Sequence, residues 1–293
     1  MRRALAIVAA LALTAMVPGC GDGGGRAENK PLLIHVGGTM KPVMDKVAAQ
    51  YTARTGRAVE INSAGSGELL AHIEMARSGD AYVCHDPFMD VLFDKFKMGA
   101  DAWTVAELTP VIVTAKGNPK KIAGVVDLAR PDVELALTDY ERSTLGYLLP
   151  TIFAKAGVNF DKLNADKKIN INKSGGYVAN LVVTGNADAA LCWDAVAHLR
   201  TDDLEVLRID QKGLPVRGVD TTTSATGKTY TLLPVRVTIA TLTCSADPAG
   251  AKAFAEYLAS PEAGAVFKEF GFTATTGRRE YEAGRKVAGG RQP

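Results

Sequence analysis

The sequence predicts an α/β protein of two lobes, each a doubly wound sheet flanked by helices, with a ligand cleft between the lobes. The chain has 293 residues, which is enough for one large domain or two medium ones. Hydrophobic residues make up 47% and charged residues 23%, as in globular chains with a full core. Short apolar strands alternate with helices in both halves, and the strands end in turns rich in Gly, Ser or Thr. This alternation is typical of doubly wound sheets.

The first half of the chain supplies three predicted strands and two predicted helices. The strands are expected at residues 32–36, 58–61 and 81–84. The first helix begins near Pro42, because proline is tolerated in a first turn, and ends at Gly56. The second helix follows the turn 63–67 and stops near Gly79. In such sheets ligands gather at the carboxyl ends of the strands, where both glycine-rich turns lie.

The second half repeats this order. Strands are expected at residues 110–114, 135–138, 169–171, 189–193 and 235–242. Helices are expected after Ser143-Thr144 to about Ala156, after Gly175-Gly176, at 248–258 and from Pro261. We therefore assign residues 31–113 and 235–277 to lobe one and residues 114–234 to lobe two.

Both ends of the chain differ from this body. Residues 278–293 form a basic tail, which we expect to be solvated and partly disordered, with contact to anionic lipid head groups as the alternative. Its cations are Arg278, Arg279, Arg285, Lys286 and Arg291.

Residues 1–19 have the features of a secretory signal peptide. Two arginines precede an apolar run that is too short for a comfortable membrane span, and small residues follow. Cys20 after Gly19 resembles the lipid-modified cysteine of bacterial lipoproteins, and residues 20–30 then form a flexible tether. We expect a protein of the periplasm or cell surface that is anchored through lipid on Cys20, with secretion and plain cleavage as the alternative.

The charge balance argues against nucleic acid as a partner. Lys and Arg number 34 against 32 Asp and Glu, and loss of Arg2 and Arg3 with the leader leaves 32 of each. A nearly neutral mature chain has no electrostatic footprint for a polyanion.

Two turns combine glycines with hydroxyls at helix starts. They are Gly37-Gly38-Thr39 and Ser63-Ala64-Gly65-Ser66-Gly67. The first N–H groups of a helix have no partner within it, so they can hold a small oxyanion together with nearby hydroxyls. The alternative is that Thr39 and Ser66 only cap their helices.

No catalytic motif stands out, and we expect a binding protein without a cofactor. The chain has no GxSxG, HExxH or Walker motif. His85 and Asp86 could form an acid/base pair, but neighbours on a strand point to opposite faces. Cys84, His85 and Cys192 could hold a soft metal, the two cysteines could form a disulfide across the cleft, or they could be buried core residues.

Several short motifs together resemble a known family. In chain order they are Gly37-Gly38-Thr39, residues 64–69, 79–83, 116–119, 138–139, 145–146, 184–190, 253–254, 258–263 and 270–272. Over residues 31–276 the chain is similar to the periplasmic substrate-binding proteins of bacterial ABC importers. It is most similar to their molybdate- and tungstate-binding (type II) group. The resemblance implies a monomer that captures a tetrahedral oxyanion for a membrane permease.

The resemblance also implies which residues bind. Thr39 and Ser66, with Gly38 and Gly67 beside them, match the two hydroxyl-bearing turns of lobe one. Thr144, Leu145 and Gly175 match the backbone donors of lobe two, and Trp193 stands where the family often has a tyrosine. Because Trp193 and the Arg142-Ser143-Thr144 turn depart from the family pattern, a metal ion or small organic solute stays open as the ligand.

Overall fold

The computed structural model describes residues 30–140, 143–166, 169–172, 175–216, 219–223, 229–231 and 235–287. The predicted signal peptide, Cys20 and the tether up to residue 29 lie outside these ranges. Within them, no helix is both long and apolar enough to cross a membrane.

The described strands are, in chain order, β1 (Leu32–Gly37), β2 (Val59–Ala64), β3 (Ala81–His85), β4 (Gly99–Leu108), β5 (Pro110–Ala115), β6 (Leu135–Thr138), β7 (Asn170–Asn172), β8 (Ala189–Trp193), β9 (Leu204–Arg208), β10 (Thr221–Thr223), β11 (Thr229–Thr231), β12 (Val235–Leu242), β13 (Thr273–Glu282) and β14 (Arg285–Lys286). The described α-helices are α1 (Lys41–Thr55), α2 (Ser66–Ala76), α3 (Phe88–Asp90), α4 (Thr144–Lys155), α5 (Phe160–Asp166), α6 (Gly175–Val183), α7 (Asp194–His198), α8 (Pro248–Leu258) and α9 (Pro261–Glu269). Short 3-10 helices lie at Gly38–Met40, Val125–Ala129 and Gln211–Gly213, and a π-helical turn lies at Val91–Lys95.

These strands form two main sheets, one in each lobe. The first has seven strands in the order β14-β13-β4-β12-β3-β1-β2, with β1 parallel to both β2 and β3. The second has five strands in the order β7-β6-β8-β5-β9. A separate two-stranded ribbon joins β10 to β11. Both lobes are thus α/β units, as the sequence predicts.

Each main sheet is covered by helices on both faces. In lobe one, apolar side chains of α1, α8 and α9 pack on one face, and those of α2, α3 and the π-helical turn pack on the other. In lobe two, α4 covers one face and α6 the other. The doubly wound architecture is therefore confirmed in both lobes.

Helix α1 follows its sequence pattern closely. The predicted apolar side chains Val43, Val47 and Tyr51 are all buried. The helix ends at Gly56, which caps it with a φ of 74° and donates its N–H to Thr52 O at 2.8 Å. A left-handed residue at this point favours glycine, because other side chains are strained there.

The chain crosses between the lobes earlier than the sequence predicts. Strand β4 ends at Leu108 in the first sheet, and β5 begins at Pro110 in the second, where it pairs with β8 and β9. The predicted boundary after residue 113 was wrong, because residues 110–113 belong to lobe two. A single apolar strand gives no local sign of which sheet it joins.

The predicted basic tail is partly a strand. Residues 273–282 form β13, and its Arg278 lies opposite Thr104 of β4. Arg278 bonds Glu280 at 2.6 Å, and Arg279 bonds Asp101 at 2.9 Å. These partners lie on β13 itself and on β4, so residues 278–287 are ordered in β13 and β14, while residues 282–286 are exposed, as a solvated tail would be. Residues 288–293, including Arg291, lie outside the described ranges.

Candidate functional site

Two helix-start turns meet at one edge of the lobe one sheet. Strands β1 and β2 are parallel neighbours in which Gly37 lies opposite Ala64, so the turns that follow them leave the sheet side by side. A Cβ added to Gly37 would lie 2.3 Å from Ser66 Oγ. Glycine is therefore required at position 37 to let the Ser66 hydroxyl lie against the first turn. The predicted pairing of these two turns is present in the fold.

Neither predicted hydroxyl caps its helix. The N-cap of α2 is Gly65, and Ser66 is the first helical residue. The 3-10 turn before α1 has Gly37 as its N-cap and α1 itself has Met40, and none of these starts has a side-chain cap. The capping interpretation of Thr39 and Ser66 does not fit this geometry. The first N–H groups of these turns are left for another acceptor.

The α2 turn is fixed from behind by a buried tyrosine. The Tyr82 hydroxyl donates to Ser66 O over 2.6 Å, and both residues are buried. Burial is the main reason that the pKa of Tyr82 lies above its usual value, so the hydroxyl stays protonated and keeps donating. Because this bond uses only the backbone carbonyl of Ser66, it leaves the side-chain hydroxyl of Ser66 unused.

The third strand of lobe one ends in an ion pair. Asp86 receives the Arg236 guanidinium through Nε at 3.0 Å and Nη2 at 2.7 Å. Arg236 also contacts Glu280 at 3.3 Å. Burial opposes the charge of Arg236, but Asp86 and its fellow carboxylates outweigh burial and raise the pKa of Arg236. Asp86 thus ties the end of β3 to β12.

This geometry contradicts the acid/base alternative. His85 Nδ1 lies 3.1 Å from the backbone carbonyl of Asp86, and no bond joins the imidazole to the Asp86 carboxylate, which Arg236 occupies. A general-acid/base dyad needs the two side chains in direct contact or joined by one water. His85 and Asp86 do not form that dyad.

Lobe two reaches lobe one through the start of α4. Ser143 caps this helix by accepting from Gly146 N at 2.9 Å, and Thr144 is its first residue. The Thr144 hydroxyl donates to Asp86 O at 2.8 Å and lies 3.2 Å from His85 Nδ1. Leu145 has a buried side chain, so this residue can offer a ligand only its backbone. The structure thus brings Thr144 to the end of β3.

The remaining predicted residues of lobe two are neighbours. A Cβ on Gly175 would lie 3.9 Å from Trp193 Cδ1, so the start of α6 packs beside the end of β8. The ring of Trp193 lies 6.3 Å from that of His85, between ring centroids. Trp193 therefore faces lobe one as well as α6.

Phe88 completes the contacts between the turns. Its ring centroid lies 5.8 Å from that of His85, and its Cε1 would lie 3.0 Å from a Cβ on Gly67. A continuous set of contacts therefore runs from Gly67 through Phe88 and His85 to Thr144 and Trp193. Sequence reasoning missed Phe88 and gave His85 other roles. The available signal was their position at the carboxyl end of β3, the same place in the sheet as the other ligand turns.

The alternative metal site is not formed. No group of three or more His, Cys, Asp or Glu side chains among the described residues could hold a metal ion. Cys84 and Cys192 lie in separate core clusters, and both are free thiols, as is Cys244. Burial raises the pKa of Cys84 and Cys192, which keeps both thiols protonated and inert. Neither the metal site nor the cross-cleft disulfide is present, and both cysteines are core residues.

Asp194 binds the backbone at the point where the chain crosses between the lobes. Asp194 Oδ1 accepts from Thr109 N at 3.1 Å and from Ala195 N at 2.9 Å, and its own N–H donates to Thr109 O. Burial raises the pKa of Asp194 to about 6, although these N–H bonds oppose the rise. This carboxylate holds the start of α7 against the strand crossover.

Comparisons with known proteins agree with this arrangement. The family model for bacterial extracellular solute-binding proteins matches residues 32–273. A protein of Haemophilus influenzae described as a binding protein is 24% identical over 241 residues, which cover 82% of this chain and 90% of that one. The molybdate-binding protein ModA of Mycobacterium bovis is 25% identical over 166 residues, or 56% of this chain and 61% of that one.

A solved structure supports the fold. The substrate binding domain ascribed to a molybdenum ABC transporter from Clostridium difficile superposes with a TM-score of 0.64 at 21% identity. The match covers 84% of this chain and 99% of that one. The chain therefore belongs to the bacterial extracellular solute-binding proteins, which take up a small ligand outside the cytoplasm for the permease of an ABC importer.

Proposed function

We propose that this protein captures a tetrahedral oxyanion of the molybdate and tungstate type between its lobes and delivers it to an ABC permease. The observation that carries the proposal is the pair of adjoining helix starts at Thr39 and Ser66, whose hydroxyls cap nothing. The relative named as a molybdate-binding protein supports the same ligand class.

The donors at this site suit an anion without a cation to neutralise it. Hydroxyls of Thr39 and Ser66 join the N–H groups of Gly38 and Gly67 at the positive ends of two helices. Converging N–H dipoles stabilise an oxyanion in a site from which water is excluded. Selectivity then comes from the size of the cavity and the number of donors.

Lobe two supplies the other half of the ligand shell in this proposal. The N–H groups of Leu145 and Gly175 lie in the first turns of α4 and α6, and the Trp193 ring N–H can donate where a tyrosine hydroxyl would otherwise do so. Only a closed form combines donors from both lobes, so the ligand stabilises closure by its differential affinity for that form.

We also propose that lipid on Cys20 tethers the protein to the membrane. The sequence around Cys20 supports this, together with the glycine-rich stretch at 21–25. Globomycin treatment of the producing cells should block removal of the leader, and a Cys20→Ala variant should no longer incorporate labelled fatty acid. Fatty-acid labelling that persists in Cys20→Ala would contradict the tether.

A thermal-shift screen tests the ligand class. A ligand at about a hundred times its Kd adds about 2.7 kcal/mol of stability, so molybdate or tungstate should raise the melting temperature clearly. Thr39→Ala and Ser66→Ala should each weaken binding by about 1–3 kcal/mol, measured by calorimetry. Ser260→Ala is the matched control, because Ser260 caps α9 elsewhere in lobe one.

The screen has a clear negative outcome. If molybdate, tungstate, sulfate and phosphate all leave the melting temperature unchanged while a soft metal ion raises it, the oxyanion proposal fails. Unchanged oxyanion affinity in both Thr39→Ala and Ser66→Ala would place the ligand elsewhere.

A further inference from the structure

His85 lies where the two lobes meet, among the turns of the proposed site. Its ring is 5.8 Å from that of Phe88 in lobe one and 6.3 Å from that of Trp193 in lobe two, between centroids. Its Nδ1 is 3.2 Å from Thr144 Oγ1 at the start of α4. Phe88, Thr144 and Trp193 stand at the starts of α3, α4 and α7, so His85 has neighbours from three helix starts. Phe88 also packs over Gly67, and Trp193 packs beside Gly175.

The hydrogen bonds of Nδ1 assign the tautomer of this histidine. Nδ1 lies 3.1 Å from Asp86 O, and a carbonyl oxygen can only accept, so Nδ1 must hold the proton. The Thr144 hydroxyl also donates to Asp86 O, which leaves its oxygen free to accept from Nδ1. Nδ1–H therefore serves Asp86 O and Thr144 Oγ1 together.

The opposite nitrogen is then an acceptor. In a neutral imidazole with a proton on Nδ1, Nε2 presents a lone pair. Among the described residues, both hydrogen bonds of the His85 ring are made by Nδ1 and none by Nε2. An unprotonated Nε2 would repel an oxyanion bound among these turns.

The described charges around His85 keep it neutral in the free protein. Burial is the main cause that lowers its pKa below 6.5, against the raising effects of the Asp86 carbonyl and carboxylate. Asp86 is already paired with Arg236, which also lies within 3.8 Å of Asp90. The positive end of α4 lies beside the ring through Thr144, and the Asp194 carboxylate after Trp193 accepts from backbone N–H groups.

We propose that His85 is a proton-coupled specificity residue: a fully deprotonated oxyanion such as molybdate binds together with one proton, which Nε2 takes from solvent and donates to the ligand. This inference rests on the proposed function. It adds that the affinity for such dianions depends on pH. An oxyanion that has its own proton, such as hydrogen phosphate, can donate to the Nε2 lone pair without this uptake.

The sign of the linkage follows from the two states of His85. The free imidazole is neutral at pH 7, and a bound dianion raises the affinity of Nε2 for a proton. Between the free and the bound pKa of His85, each molybdate takes up close to one proton, and its affinity falls about tenfold for each pH unit of increase. Below the free pKa the affinity is constant, because His85 is protonated in both states.

Calorimetric titration with molybdate, in two buffers of different ionisation enthalpy at pH 6 to 8, measures this uptake. The wild type should take up close to one proton at the pH of largest slope. His85→Asn should take up none and bind with an affinity that is independent of pH, because the Asn amide retains a donor near the Nδ1 position but has no titratable group. His85→Gln provides a second variant without a titratable group, and His72→Asn on the exposed face of α2 should behave as the wild type.

The possible failures are distinct. If molybdate binds the wild type without proton uptake, or if His85→Asn and His85→Gln keep the uptake, the role of His85 is wrong while oxyanion binding stands. Uptake that persists in both variants but disappears in Asp194→Asn would assign the proton to Asp194 instead. If neither molybdate nor any other oxyanion binds the wild type, the proposed function fails, and this inference fails with it.

Discussion

The helix starts of lobe one fall into two groups, those with a side-chain cap and those without one. At α8 and α9, away from the turns of the site, Asp247 accepts from Gly250 N and Ser260 accepts from Ala263 N. At the turns that lead into α1 and α2, no side chain accepts from the backbone, although Thr39 and Ser66 are present. The same residue types therefore serve two purposes within one sheet.

The difference lies in register rather than in composition. Ser260 stands one residue before its helix, with an extended backbone, and its hydroxyl turns back onto the first turn. Ser66 stands one residue later, inside its helix, with Gly65 in the capping position. The Ser66 hydroxyl lies against Gly37 and accepts from none of its own first N–H groups. A shift of one residue thus converts a structural cap into an available donor.

In lobe two, side chains of the same turn bond N–H groups at the starts of α4 and α7, although these starts face the other lobe. Ser143 caps α4 locally, and Thr144 after it bonds across to Asp86 O. Asp194, the first residue of α7, accepts from Ala195 N with its carboxylate. The open starts of α1 and α2 and the closed starts elsewhere in both lobes should therefore respond differently to mutation, and four changes test this.

The largest effect is expected at the closed start of α4. A Cβ on Gly146 would lie 2.0 Å from Asp139 O, a backbone atom that cannot rotate away. Gly146→Ala should therefore lower the free energy of unfolding by about 3 kcal/mol or more, measured by urea denaturation. A free energy of unfolding within about 0.5 kcal/mol of the wild type, as is usual for a surface substitution, would contradict the close packing of this turn.

Because of Asp194, the free energy of unfolding of the wild type should fall as the pH rises. Burial raises its pKa to about 6 in the folded protein, above the ordinary value of about 3.9 for an aspartate, so the folded state binds the proton more tightly than the unfolded state. The stabilisation that comes from this raised pKa is fully present below about pH 4 and is lost as the pH rises through 6. The loss in free energy of unfolding is at most about 3 kcal/mol, at about 1.4 kcal/mol per pKa unit. Asp194→Asn keeps the acceptor oxygen and should abolish this slope in denaturation curves between pH 4 and 7. An unchanged slope would assign it to another group.

Gly37→Ala probes the open starts. The new Cβ would lie 2.3 Å from Ser66 Oγ and 2.7 Å from Met40 Cε, both ends of side chains that can rotate away. We expect oxyanion affinity to fall by about 1–3 kcal/mol, because the Ser66 hydroxyl is displaced, with a smaller change in stability. Calorimetry and denaturation measure the two effects separately. Loss of stability with full affinity would show that the Ser66 hydroxyl does not contact the ligand.

The smallest effect is expected at a capped start far from the ligand. Ser260→Ala removes the cap of α9 and should lower the free energy of unfolding by about 1 kcal/mol. Its oxyanion affinity should equal that of the wild type, in contrast to Ser66→Ala. A loss of affinity in Ser260→Ala would remove the distinction between the two groups of helix starts.

The sequence predicts the parts of this fold that are locally encoded. Apolar spacing in α1 and the glycine-rich ends of β1 and β2 are visible without any partner, because both depend on residues close in the chain. The sequence predicts residues 278–282 of β13 as part of a charged tail, because Asp101, the partner of Arg279, lies 178 residues away on β4. Charges balanced across a sheet have no local signal.

The site shows the same division. The residue types of Thr39 and Ser66 point to oxyanion binding, but the sequence alone does not separate a donor from a cap, since one residue of register decides it. The position of His85 depends on contacts with Thr144 and Trp193, which come from the other lobe. Such contacts between lobes follow from topology and not from spacing.

The central claim is that the open helix starts of lobe one bind the ligand and the capped starts of α8 and α9 in the same lobe do not. Backbone amide shifts of ¹⁵N-labelled protein during a molybdate titration measure this directly. The amide signals of Thr39, Ser66 and Gly67 should shift to saturation, while those of Gly250 and Ala263, which are already bonded to Asp247 and Ser260, stay in place. Saturable molybdate binding that leaves the Ser66 and Gly67 amides unmoved would contradict the claim.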